Sequence, residues 1–204
     1  MLARRALPLL LATPALAGSA LAQGRTDYRW RVMRQGSAIG THNVTFTARG
    51  EERTALSDLQ VVPTVLGVVV YRYEHRYTEM TRAGRFLSVR SRHNRNGRIT
   101  EVSAEATAAG VVVRGPAGEL RMPADAAPLS WWEPQRLGGA VPLFGTSTGR
   151  PAELRWTREA RPGGAWRWRT TGDIEAVITY AADGRWAGYE VKGDDGSLIT
   201  YEPA

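Results

Sequence analysis

From residue 27 to the end of the chain, apolar and polar positions alternate with a period of two instead of the 3.6-residue helical repeat. Tyr28, Trp30 and Val32 share one side against Arg29 and Arg31, and His42, Val44 and Phe46 alternate with Asn43, Thr45 and Thr47. Val69, Tyr71, Tyr73, His75 and Tyr77 face away from Val70, Arg72, Glu74, Arg76 and Thr78. Leu87, Val89, Ser91 and His93 likewise oppose Ser88, Arg90 and Arg92. This pattern predicts strands with one side buried and one wetted, as in antiparallel sheet. Turn residues punctuate them at Gly36, Gly50, Gly84 and Asn96-Gly97, the last being the strongest two-residue hairpin signal.

The rhythm resumes beyond residue 150. Leu154 and Trp156 pair with Trp166 and Trp168 across Arg161-Pro162-Gly163-Gly164. Ile174 to Tyr180 turns through Asp183-Gly184 into Trp186 to Glu190, and Leu198 to Tyr201 makes a final strand. About a dozen strands are too many for a flat open sheet. The expected fold class is therefore all-β: an antiparallel meander, neighbours in sequence being neighbours in space, curved into a half-barrel or closed barrel.

One stretch breaks the pattern. Seven of the nine prolines beyond residue 22 lie between Pro116 and Pro162, and residues 124–150 carry no clean alternation. Ser130-Trp131-Trp132-Glu133 sets an N-cap residue three positions before a glutamate, predicting one or two helical turns that Pro134 and Pro142 keep short. Long connections in compact domains are usually functional or packed as lids. Here the connection carries Trp131, Trp132 and Phe144.

The N-terminus has a different character. Arg4-Arg5, an apolar run from Ala6 to Leu16 and Ala20-Leu21-Ala22 form a secretory signal over residues 1–22, leaving one β domain over 23–204. The arginine pair suits either the general or the twin-arginine route. Export puts the remaining chain in the periplasm or outside the cell. No later apolar stretch is long enough to span a bilayer, since Val61 to Tyr71 is short and interrupted by Pro63, Thr64 and Gly67. Removal of the signal leaves 25 basic against 20 acidic residues, a net +5, with Lys192 the one lysine. The arginines are scattered, which argues against a nucleic-acid footprint. Cysteine is absent, excluding disulfides, thiolate metal sites and lipoprotein acylation.

Three features then coincide. The first is aromatic-x-aromatic-x-Val-x-x-x-Gly-x-x-Ile-Gly-x-His over Tyr28 to His42. The second is Tyr71-Arg72-Tyr73 with Glu79, Gly84-Arg85-Phe86-Leu87 and Ser88 to Gly97. The third is Ser130-Trp131-Trp132, Pro134 and Thr146-Ser147-Thr148-Gly149. Over nearly all of the exported chain this resembles a set of exported proteobacterial proteins grouped as domain of unknown function 6134. The resemblance implies a single antiparallel β domain akin to the curved open sheets of periplasmic lipoprotein carriers, and it implies no catalytic residue.

Candidate chemistry is sparse. No Gly-x-Ser-x-Gly, phosphate loop, His-x-His or His-Glu-x-x-His occurs. His75 and Glu79, four apart on a strand, lie about 13 Å apart at ~3.3 Å per residue, too far to share a metal. The expectation is thus a protein without catalytic residues, metal or cofactor. Its candidate ligand-binding residues are Trp131, Trp132, Phe144, Tyr71 and Tyr73, which take an apolar or lipid-like molecule under the aromatic loop. Three other readings stand beside it: the loop as a plug that fills the concave side, a structural or assembly protein that engages an envelope partner, and a hydrolase with an unrecognised site.

Overall fold

The computed structural model describes residues 27–193 and 195–204; the secretory signal expected at 1–22 lies outside them. The first strands are β1 (Tyr28–Arg34), β2 (Ser37–Arg49) and β3 (Glu52–Val61). A small hairpin follows, β4 (Thr64–Val65) with β5 (Val68–Val69). The meander then continues through β6 (Tyr73–Arg82), β7 (Arg85–Arg95), β8 (Arg98–Thr107), β9 (Gly110–Gly115) and β10 (Gly118–Met122). After a connection containing β11 (Ala127–Pro128), a 3₁₀ turn (Pro134–Arg136) and β12 (Leu143–Phe144), a second meander closes the chain. Its strands are β13 (Leu154–Ala160), β14 (Trp166–Gly172), β15 (Ala176–Tyr180), β16 (Trp186–Lys192) and β17 (Leu198–Pro203).

Thirteen of these strands form one antiparallel sheet in the order β10-β9-β8-β7-β6-β3-β2-β1-β17-β16-β15-β14-β13. The last strand joins the two meanders by pairing with the first, Val32 opposite Tyr201. The sheet is open, and its edges β10 and β13 are linked by the chain from 123 to 153, which we call the strap. Two neighbouring strap residues measure the curvature. Ser130 bonds to Glu79 on β6, and the carbonyl of Trp131 accepts a bond from Tyr180 on β15. Those strands stand six steps apart, about 29 Å in a flat sheet at ~4.8 Å per step, whereas consecutive Cα atoms are ~3.8 Å apart. The sheet is therefore bent into a half-barrel, and the strap lies across its concave side.

Inward positions fall in rows across the strands. One row runs Tyr28, Val44, Ser57, Tyr77, Ser91 and Val102, and the next Phe46, Ala55, Glu79, Val89, Ala104 and Val113. Strap residues Ala127, Leu129, Trp132, Leu137, Leu143 and Phe144 complete the core over the second of these. Gly138 lets the strap descend on β14, since a Cβ there would stand 2.3 Å from the Trp168 ring. The helical turn differs from its prediction. It starts at Pro134, after Glu133, and the Ser130 hydroxyl makes no cap because it is given to Glu79.

Candidate functional site

The strap divides the concave side into two halves. Under it, charges are buried. Glu79 is 1% exposed; its carboxylate accepts bonds from Ser130 Oγ at 2.6 Å and from the Arg136 guanidinium at 2.5 Å. Glu133, equally buried, accepts from Arg53 on β3 and from Gln135. Burial pushes the Glu79 carboxyl up; Arg136 opposes the shift and Glu133 adds to it. Buried carboxylates persist only with such partners. The two acid–arginine pairs thus clamp the strap to β3 and β6.

Trp132 and Phe144 fill the space beneath. Trp132, 1% exposed, stacks on Tyr77 with ring centroids 5.6 Å apart and meets Phe46 edge-on. Phe144 meets Phe86 at 5.9 Å and is fully buried. Trp131 is half-buried against Tyr189 at 5.1 Å. Tyr73 lies in the other half, against His93 at 4.6 Å, and Tyr71 is half-buried just ahead of β6. The five predicted residues thus separate: Trp132 and Phe144 are core, Trp131 and Tyr73 border the other half, and Tyr71 precedes β6. Two of the concavities of the described surface lie away from Trp131 and Trp132. One of about 720 Å³ lies against β6, β7 and β8, lined by Glu74, Arg76 and Arg92 together with His75, Tyr77 and Ser91. The other, about 310 Å³, lies between Pro134, Gln135, Arg158, Trp166 and Trp168.

The other half has a row of its own, in which Trp30, His42 and His75 are buried: Trp30, His42, Leu59, His75 and His93, paired successively across β1, β2, β3, β6 and β7. All three histidines of the chain stand in it. His42 Nε2 is joined to Ser57 Oγ at 2.8 Å, and His75 Nε2 to Ser91 Oγ at 3.0 Å. The same diagonal pair thus recurs in two hairpins. Burial, followed by repulsion from His75, lowers His42 to about 3. His75 falls to about 4 by burial and by His93, against a bond with the Thr146 backbone. His93 is also lowered, by burial and by Arg95. All three rings are therefore neutral at pH 7. Burial likewise raises the hydroxyls of Tyr189 and Tyr201, and that of Tyr77 under the strap, so these hydroxyls are neutral beside the neutral imidazoles. Among the described residues no three of His, Cys, Asp and Glu stand close enough to share a metal ion.

Alternation placed Glu79 on the inward side with Tyr73, His75 and Tyr77, and an inward carboxylate was the one signal that could have exposed the clamp. Nothing in the sequence around Arg136 marked it as the partner.

A single open antiparallel sheet with a strap across its concave side defines a half-barrel β protein. The family of the domain of unknown function DUF6134 matches residues 30–204, and the chain belongs to it. No curated protein matches the chain significantly. Its fold is similar to the crystal structure of a beta-barrel-like protein of domain of unknown function DUF1849 from Brucella abortus. That likeness has a TM-score of 0.55 at 11% identity, covering 87% of this chain and 94% of that one.

Proposed function

We propose that the protein is exported by its first 22 residues to the periplasm and works there without catalysis, binding an apolar or amphiphilic, lipid-like molecule in the histidine-lined half of the bowl. The observation that carries this reading is the ring lining of that half. Half-buried Tyr73, His93, Tyr201 and Trp131 border it, with His93 held neutral by burial and by the Arg95 cation opposite Tyr73. Rings of this kind bury an apolar chain, and a few polar atoms among them orient a head group. His93 Nε2, without a hydrogen-bond partner among the described residues, is one such atom.

The Ser–His pairs support a role without catalysis. Ser57 and Ser91 are buried, 1% and 7% exposed. His42 Nδ1 has no partner among the described residues, and His75 meets the Thr146 backbone, so neither ring is oriented by the acid a triad requires. Native mass spectrometry of protein purified from its own periplasm tests the proposal. The expected result is a co-purifying lipid-like mass that is lost in Tyr73→Ala and Trp131→Ala; a clean unliganded mass overturns it. A second reading, an assembly protein of the envelope, is favoured by the filled space under the strap and predicts that clean mass.

A further inference from the structure

The most exposed apolar side chains belong to one feature, the β4–β5 hairpin. Leu66 is fully exposed, and Val68, Val69 and Val70 are 65%, 44% and 57% exposed. The hairpin's main chain is satisfied internally, Thr64 pairing with Val69, Val65 with Val68, and the Val70 amide donating to Pro63. It therefore needs no neighbour to hold its shape.

Its turn chemistry runs against local stability. Leu66 and Gly67 have φ of +50° and +79°, the geometry of a two-residue turn that favours Asn-Gly. Asn96-Gly97 occupies the same geometry elsewhere in the chain. Leucine gains nothing from φ > 0 and here packs on nothing. Successive strand residues point to opposite sides, and Val68 and Val69 are both exposed, so the finger is apolar all round. A flat protein surface covers one side of such a finger, whereas a fluid apolar phase covers every side.

The charges at its root favour an anionic phase. The Arg72 backbone is bonded twice to Asn96, which places the β7–β8 turn, with Arg95 and Arg98 opposite each other, beside the base of the hairpin. Ile99, 51% exposed, adds an apolar side chain at the same turn. Glu74 on β6 is bonded to Arg72 and Asn94.

We infer that the β4–β5 hairpin is a membrane-docking finger: Leu66 and Val68 to Val70 enter the interfacial zone of a bilayer while Arg95 and Arg98 sit against its anionic head groups. Its reach of two to three residues, about 10 Å at ~3.3 Å each, matches the depth of an interfacial insertion. This inference stands on the hairpin and does not require a ligand in the bowl.

Flotation with phosphatidylcholine vesicles, with and without phosphatidylglycerol, tests it. The protein is expected to float with the anionic vesicles, less so in high salt. The double variant Leu66→Asp/Val68→Asp should lose at least about tenfold in affinity. Arg95→Gln/Arg98→Gln should lose about fivefold per arginine, on anionic vesicles only. Unaltered circular dichroism and melting show that the variants are folded. Absence of flotation, or flotation unchanged in the double variant, overturns the inference. Absence of flotation together with a photocrosslink from position 68 to a protein assigns the finger to a protein partner instead.

Discussion

Glu79 and Leu66 are placed the wrong way round for their chemistry, one charged and buried, the other apolar and wholly exposed, and the contrast separates structure from function. A buried charge and an exposed apolar patch are the two informative departures from ordinary burial. Glu79 is fully compensated: Ser130 and Arg136 bond to it, and the result is a strap fixed to the sheet. Leu66 is compensated by nothing among the described residues, having neither packing nor a favourable backbone conformation. The first departure is explained by the fold. The second calls for something outside it.

The contrast breaks most readily at the clamp. Arg136→Met leaves Glu79 buried without its cation and is expected to cost about 3–5 kcal/mol in chemical denaturation. Glu79→Leu combined with Arg136→Met should recover most of that loss, because an apolar pair needs no desolvation. If the single and double variants lose equally, the clamp is not what holds the strap. Trp132→Ala, which empties the space over Tyr77, should cost a similar 3–5 kcal/mol. A loss near zero there would instead mark a cavity wall.

The histidine row gives the next effect. Above pH 6.5, His42 and His75 are neutral both folded and unfolded and contribute no pH dependence. Below it, the unfolded chain takes protons that the folded rings refuse until about pH 4 and pH 3. Stability should therefore fall as pH drops from 6.5, by about 1.4 kcal/mol per pH unit for each ring. The raised Glu79 carboxyl acts with the opposite sign, since the folded state takes its proton first, and offsets part of the loss. His42→Gln should flatten the melting-temperature profile between pH 7 and 5; an unaltered slope would contradict the burial of a neutral ring.

Much of this architecture was legible in the chain. Period-two alternation marked β1, β2, β6, β7 and the strands beyond residue 150, and Asn96-Gly97 marked its hairpin, because facing and turn chemistry are local properties, whereas the strand expected from Val69 starts at Tyr73, with Val69 in the β4–β5 hairpin. The pairing of β17 with β1 was not legible: alternation says which side of a strand is wet and nothing about which distant strand lies beside it. The strap showed itself as a break in pattern, and Trp132 and Phe144 as apolar weight within it. Whether they line a cavity or fill one depends on Tyr77, Phe46 and Phe86, which reach them only through the curvature. The stretch Val61 to Tyr71 is too short for a membrane span. As a protruding hairpin it needs no such length.

The smallest change in stability carries the sharpest test. Leu66→Asn should leave the fold within about 0.5 kcal/mol of its present stability, or raise it, because asparagine suits the turn that leucine strains. Melting temperature and affinity for anionic vesicles, measured on this one variant, should then move in opposite directions, the first level or rising and the second falling. A variant that melts as before and holds the vesicles as tightly as before contradicts the account.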